Sequence, residues 1–284
     1  MQPRRSVLYM PGANVRAMEK ARNLDCDSII FDLEDAVAPD AKREARQRVS
    51  DALSADYGHR ELVVRCNGLD TPWGKEDVAV FAGRKVDGLL FPKIETQAQV
   101  EAITQAMDAA GGNELPIWLM IETPLGVLDL ARFAGHPRVS VLVMGTSDLV
   151  KELRAEHTPA RENIAYALQH SLLVARQLGK DILDGVHLEF RDNESLKQVC
   201  RSGRAMGFDG KTLIHPSQID VTNEIFGYTP EQIEHAQRVL EVWQQALADG
   251  KGVAVLEGKL VENLHAAEAE RVVAMAHALA DRAT

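Results

Sequence analysis

Eight short apolar runs, rich in β-branched and aromatic residues, punctuate the first three quarters of the chain, and no other feature restricts its fold so tightly. They are SVLYM (6–10), SIIFDL (28–33), LVVRC (62–66), GLLFP (88–92), IWLMI (117–121), SVLVMG (140–145), DILDGV (181–186) and KTLIH (211–215). Between them, stretches such as Asp40 to Leu53, Thr96 to Ala110 and Ala160 to Leu178 set apolar residues at i, i+3, i+4 and i+7 among charges, the spacing of amphipathic helices. Strict alternation of strand and helix implies a parallel sheet with right-handed crossovers. Eight strands close a barrel, although a doubly wound open sheet alternates in the same way. The strand ends favour the barrel. Pro11-Gly12, Asp32-Glu34-Asp35, Arg65-Asn67, Lys93, Glu122, Ser147-Asp148, Asp184-His187 and His215-Pro216 would deliver polar groups to one rim, where barrel enzymes carry their chemistry.

After Ile219 the pattern changes. Thr229-Pro230-Glu231-Gln232 reads as a helix N-cap with proline at N1 and glutamine at N3, and Gly250 as the stop of that helix. VAVL-EG-KLVE (253–262) reads as a short hairpin, and a second helix follows from about Leu264 to Ala280. The expected fold is therefore an α/β (β/α)₈ TIM-type barrel over residues 1–225, with a helix–hairpin–helix appendage over 226–284.

Charge narrows the partners. Against 42 acidic residues stand 32 Lys and Arg, a net charge of −10, which repels nucleic acid and anionic membrane surfaces alike. No run of 18 apolar residues exists to span a membrane, and Val7 to Met10 is too short for a signal sequence. The three cysteines, Cys26, Cys66 and Cys200, follow no disulfide or zinc spacing, so a reducing, cytoplasmic setting is expected.

Glu122 and Asp148 follow apolar strands that are neighbours in a barrel, and two carboxylates completed by water and substrate suit Mg²⁺. The alternative is that each merely caps the next helix. Arg65 ends a strand of apolar residues and needs an anion there. That anion is either a substrate carboxylate or an internal partner among Asp32, Glu34 and Asp35. Lys93 reads as a Schiff-base nucleophile or, more commonly, as a partner of nearby acids. His187 and His215 at the rim read as substrate contacts or as hydrogen-bonded structural residues. GFDGKT (207–212) fails as a phosphate loop, because Ala205 stands where its first glycine belongs, and is read as a turn into the last strand.

Taken in order, RSVLYMPG, FDLEDAVAPDAKREAR, VRCNGLDTPWG, FPKIE, IETPLGV, MGTSDL, DGVHLEFRD, GFDGKTLIHPSQI and LEGKLVE resemble the HpcH/HpaI aldolase and citrate lyase β-subunit-like family, in particular its free-standing CoA-ester lyases. Citrate lyase β subunits read nearer IESALG, SAEDYT and INPRQ where this chain has IETPLG, GTSDL and IHPSQ. The resemblance implies a barrel assembled as homotrimers or hexamers, its C-terminal segment serving as a lid over a neighbouring subunit's site. It implies Mg²⁺ as cofactor, with Glu122 and Asp148 as ligands and Glu122 also touching substrate. It gives Arg65 the substrate carboxylate, and Tyr9, Asn14, Lys20, Ser147, Ile214 and His215 contacts with an acyl-CoA. Glu262 falls where the family's lid carries an aspartate acting as acid or base. The implied reaction is retro-Claisen cleavage of a 3-hydroxy-3-carboxyacyl-CoA to acetyl-CoA and a 2-oxo acid, with citramalyl-CoA (giving pyruvate) ahead of malyl-CoA (giving glyoxylate). The alternatives are a malyl-CoA thioesterase and a citrate lyase β subunit acting within a complex.

Overall fold

The structure, a computed structural model, describes residues 1–282. Eight parallel strands close into a barrel in sequence order. They are β1 (Ser6–Pro11), β2 (Ser28–Asp32), β3 (Glu61–Arg65), β4 (Gly88–Phe91), β5 (Ile117–Ile121), β6 (Val139–Met144), β7 (Asp181–Asp184) and β8 (Gly210–Leu213). Closure is made by β1 pairing with β8, Val7 opposite Thr212. All eight expected runs became strands.

A strand's side chains alternate between its two faces, and here the two faces are two separate cores. Val7, Ile30, Val63, Leu90, Trp118, Val141 and Leu183 fill the barrel interior. Leu8, Ile29, Phe31, Val64, Leu89, Leu119, Leu142 and Ile182 point outward into the larger core beneath the helices. The same parity carried two residues further turns Tyr9, Asp32 and Arg65 inward at the carboxyl-terminal end. The pattern of apolar residues thus decides which polar rim residues face the interior.

Several strands stop earlier than their apolar runs suggest. β2 ends at Asp32 because the Asp32 carboxylate accepts the N–H groups of Glu34 (2.8 Å) and Ala36 (3.1 Å), which turns the chain out of the ladder. β7 ends before Gly185-Val186, and β8 before Ile214-His215. The helices are also slightly shorter than their patterns. A 3₁₀ turn, Pro39–Ala41, precedes the helix Lys42–Ala52, and another, Glu162–Ile164, precedes Ala165–Gln177. Gln97–Ala109 matches its expected span, fixed by a capping box between Thr96 and Gln99. GFDGKT does lead into a strand: Gly207, at φ 109°, terminates the helix Asn193–Met206, and Gly210 starts β8.

The chain divides into two compact units, one spanning Arg4–Phe226 and the other comprising Met1–Pro3 and the chain from Gly227 onward. In the second, the helix Pro230–Ala248 begins with the capping box Thr229/Gln232. A hairpin follows, β9 (Ala254–Leu256) with β10 (Lys259–Val261), and then the helix Asn263–Ala280. Ala236, Val239, Val261, Ala269 and Val272 form its own small core. Among the described residues no helix is long and apolar enough to cross a membrane, and the three cysteines are buried and free.

Outside the barrel wall, Lys211 and Asp184 are both fully buried and paired at 3.0 Å. Asp184 also accepts from Arg161 Nη1 at 2.6 Å and from the Gly185 N–H at 2.9 Å. Burial alone would raise the Asp184 pKa, but the two cations outweigh it and hold it below the ordinary carboxylate value. A depressed folded pKa contributes stability that is present above the unfolded pKa and is lost as pH falls through the folded one. Asp184→Asn leaves both cations buried without their counter-charge, so it should cost about 3–5 kcal/mol in chemical denaturation near neutral pH. The deficit should shrink on acidification as the wild-type carboxyl is itself protonated.

Candidate active site

A cleft of about 390 Å³ opens where β1, β2, β3, β5, β6 and β8 end. Its lining carries four carboxylates, Asp32, Asp35, Glu122 and Asp148, against one cation, Arg65. Tyr9, Met120, Ser147, Thr212 and Ile214 complete much of the wall.

Arg65 is 7% exposed and its planar fork is already engaged. Nε and Nη2 donate to the two oxygens of Asp32 at 2.7 and 2.6 Å, a bidentate pair across adjacent positions of β2 and β3. Nη1 lies 3.0 Å from Glu34 Oε2 and 3.7 Å from Asp35 Oδ2. The internal partners considered from the sequence are therefore present. Asp32 takes the Nε/Nη2 edge and leaves the edge between Nη1 and Nη2, which Glu34 and Asp35 approach at Nη1. The Tyr9 ring lies 4.8 Å beneath the guanidinium, and its hydroxyl donates to Met120 Sδ at 3.2 Å. Burial, with the charges of Asp32 and Glu122 against that of Arg65, raises the Tyr9 pKa, so the phenol stays protonated.

Glu122 is 2% exposed, one residue beyond β5. Burial first, then the neighbouring Glu34 and Asp148 charges, push its pKa up to about 7 against the pull of the Lys93 N–H and Arg65. Its Oε1 accepts the Lys93 backbone N–H at 2.8 Å. Asp148 sits in the first turn of the helix Thr146–Glu152, with Lys151 Nζ at 4.0 Å. Lys93 donates from its ammonium to Glu34 Oε1 at 2.9 Å. Burial works against the Lys93 charge, but Glu34, Glu122 and Asp35 outweigh it and push its pKa up to about 12. A Schiff base needs the neutral amine, so the geometry supports the ion-pair reading.

The rest of the expected set is dispersed. Asn14 caps the helix Val15–Ala21 through the Ala17 N–H (3.1 Å), and Lys20 is exposed on that helix; neither lines the cleft. His215 caps a 3₁₀ turn, with Nδ1 2.8 Å from Ser217 Oγ, and packs on the Phe190 ring at 4.8 Å. His187 lies 3.2 Å from Ser195 Oγ, outside the lining of this cleft. Glu262 belongs to the second unit, where it precedes the helix Asn263–Ala280 and its N–H donates to His265 Nδ1 at 3.0 Å.

The match to the HpcH/HpaI aldolase/citrate lyase model runs over residues 5–216, the entire barrel. The chain belongs to that family. It is 49% identical to a (3S)-malyl-CoA thioesterase of Cereibacter sphaeroides over 98% of this chain and 96% of that protein. It is 33% identical to the citrate lyase β subunit of Escherichia coli K12, covering 91% of this chain and 88% of that one. Among solved structures, protein CitE of Mycobacterium tuberculosis in complex with magnesium, acetoacetate and coenzyme A superposes with a TM-score of 0.77 at 27% identity, covering 96% and 97% of the two chains.

The donor set of this family member fits a magnesium ion. No group of three or more His, Cys, Asp or Glu poised for a metal occurs among the described residues. Mg²⁺ does not require one, since it keeps several waters and takes one or two carboxylates plus substrate oxygens. The surplus of carboxylates over cations in the cleft is the charge balance such an ion would offset. The place of the Glu122 carboxylate depends on Gly145, which sequence reading did not single out: a Cβ there would collide with the Glu122 side chain and lie 2.9 Å from Met120 Cε. The one signal available was a glycine immediately before TSD. Gly145→Ala should therefore destabilise the protein by about 1–3 kcal/mol in denaturant titrations and displace the Glu122 carboxylate in a crystal structure. Wild-type stability with Glu122 unmoved would mean that the loop gives way instead.

Proposed function

We propose that the chain is a Mg²⁺-dependent enzyme acting on a 3-hydroxy-3-carboxyacyl-CoA thioester of the malyl-CoA type, and that hydrolysis to the hydroxy acid and free CoA is its principal outcome. The observation that carries this reading is 49% identity over 98% of the chain to a (3S)-malyl-CoA thioesterase, in a chain whose cleft is lined by Arg65, Glu122 and Asp148 together. Carbon–carbon cleavage, with citramalyl-CoA ahead of malyl-CoA, is the second reading. It is favoured by the citrate lyase β relatives at 33–34% identity.

In the proposed complex, Glu122 and Asp148 would hold the metal. Bound there, Mg²⁺ would neutralise the substrate's hydroxyl and carboxylate oxygens and lower the hydroxyl pKa. The Nη1/Nη2 edge of Arg65, the one Asp32 leaves, takes the carboxylate, with Asp32 fixing the guanidinium plane and Tyr9 supporting its face. Ser147 and Ile214 line the way toward the acyl-CoA, and Asn14, Lys20 and His215 are the proposed contacts along CoA outside the cleft. Glu262 is the proposed acid or base of a lid, supplied by a neighbouring subunit of a homotrimer or hexamer. In hydrolysis, water attacks the thioester carbonyl, the C–S bond breaks and the CoA thiolate is protonated. In lyase turnover, the 3-hydroxyl proton leaves, the Cα–Cβ bond breaks, and the acetyl-CoA enolate is protonated at carbon.

The two outcomes separate on products. With malyl-CoA and citramalyl-CoA as substrates, free thiol should rise in step with hydroxy acid while no 2-oxo acid accumulates; EDTA should abolish turnover and Mg²⁺ restore it. Glyoxylate or pyruvate with acetyl-CoA in place of free thiol would transfer the chain to the lyase reading, and full activity in EDTA would end the metal reading. Arg65→Lys keeps the charge but loses the planar fork. It should lower kcat/KM roughly 10²-fold, the loss of about 2–3 kcal/mol from a charged hydrogen bond, with CoA affinity unchanged by calorimetry. Wild-type turnover would reduce Arg65 to an internal ion-pair partner.

A further inference from the structure

Lys93 has a left-handed backbone, φ 53°, on a residue that is not glycine. Such a conformation persists where the surrounding structure requires it, and it clusters at functional sites. Here its consequence is visible: the Lys93 N–H meets Glu122 Oε1 at 2.8 Å, while the ammonium of the same residue meets Glu34 Oε1 at 2.9 Å. The other oxygen of Glu34 lies 3.0 Å from Arg65 Nη1. One residue thus bridges the carboxylate proposed to hold the metal and the guanidinium proposed to hold the substrate. Its loop is clamped from behind, since Gln99 Nε2 donates to the Lys93 carbonyl (3.4 Å) and Gln99 Oε1 accepts the N–H groups of Glu95 and Thr96, both at 2.9 Å.

We propose that Lys93 is a two-handed positioning residue: its left-handed N–H orients Glu122 so that Oε2 is presented for the metal, and its ammonium holds Glu34 by Oε1, so that this carboxylate reaches Arg65 with one oxygen only and does not clasp the Nη1/Nη2 edge needed by the substrate carboxylate. The inference rests on the metal role proposed for Glu122. The two hands are chemically independent, because one is main chain and the other side chain, and different substitutions reach them separately. Glycine adopts the left-handed region freely and keeps the N–H while deleting the ammonium. Valine deletes the ammonium and also avoids that region, so the N–H must swing away from Glu122.

The test titrates Mn²⁺ into the full-length protein without substrate, following free Mn²⁺ by electron paramagnetic resonance, and measures KM and kcat on malyl-CoA in parallel. Lys93→Gly should bind Mn²⁺ within about twofold of wild type yet raise KM about tenfold, because Glu34 then competes unopposed for Arg65. Lys93→Val should weaken Mn²⁺ binding at least tenfold. Glu34→Gln added to Lys93→Gly should lower KM again, a rescue that a merely structural role does not produce. Should Lys93→Val fail to fold, Lys93→Ala against Lys93→Gly makes the same comparison, with a difference of about threefold in Mn²⁺ affinity. Equal Mn²⁺ affinity in the glycine variant and its valine or alanine counterpart overturns the backbone role, and an unchanged KM in Lys93→Gly overturns the side-chain role. A wild-type protein that binds no Mn²⁺ removes the metal reading itself, and this inference with it.

Discussion

The pairing of Arg65 with Asp32 is the interaction on which the rim is built. A guanidinium at 7% exposure is tolerable only with a counter-charge, and leaving either partner alone in such a site typically costs about 3–5 kcal/mol. Asp32 supplies that charge through both oxygens and uses the same two oxygens to accept the N–H groups of Glu34 and Ala36. Burial alone would raise its pKa, but Arg65 and these N–H groups outweigh it and hold the carboxylate ionised. The pair therefore fixes a side chain and a loop together. Because the loop carries Glu34 back toward Arg65, the orientation of the guanidinium and the path of the chain after β2 are one constraint.

From there the order propagates through charge. Glu34 stands between two cations, Arg65 and Lys93, and Lys93 reaches onward to Glu122 through its main chain. Burial raises the Glu34 pKa even with those cations beside it, so its charge is held on the rim by its partners rather than by solvent. The chain Asp32–Arg65–Glu34–Lys93–Glu122 crosses from β2 to β5 through direct contacts, with the Lys93 ammonium half-exposed. In such a network the position of any one group is set by its neighbours. That suits the proposed task of holding a carboxylate and a cation in fixed relation.

What could be read from the sequence follows the same physics. The strands were legible because buried parallel strands are nearly continuous apolar runs, and the inward direction of Tyr9, Asp32 and Arg65 follows from parity alone. The strand ends were less legible, because a residue such as Asp32 serves a turn and a ladder at once. Glu122, Asp148 and Arg65 stood out as charges ending apolar runs, and the structure gathers all three around one cleft. Three things were hidden. Which edge of Arg65 is occupied depends on a register between strands 33 residues apart. The left-handed turn at Lys93 leaves no mark in the identity of a lysine, and Gly145 looks like any helix-preceding glycine until Glu122 is seen against it. Asn14, Lys20 and Glu262 came from resemblance alone, and the local hydrogen bonds of Asn14, His215 and Glu262 are those of helix caps.

The division of labour around the cleft bears on substrate choice. In the proposed complex its charged side would meet what malyl and citramalyl thioesters share, a carboxylate next to a hydroxyl, and so would give no reason to prefer one. The walls must discriminate, and they include Met120 and Met144, unbranched side chains that adjust their shape at little energetic cost. One methyl group in an apolar pocket is worth only about 1–3 kcal/mol, and a wall that yields recovers part of that. Tight selection between the two substrates would need a branched, immobile neighbour at the carbon bearing the hydroxyl. Val186 and Ile214 are the branched aliphatic side chains of the lining, from the loops after β7 and β8 rather than from the strands that carry Arg65 and Asp32. The branched aliphatic part of the lining thus comes from two rim loops and the ion pairs come from the barrel, so the loop side chains can vary without disturbing the pairs that order the rim.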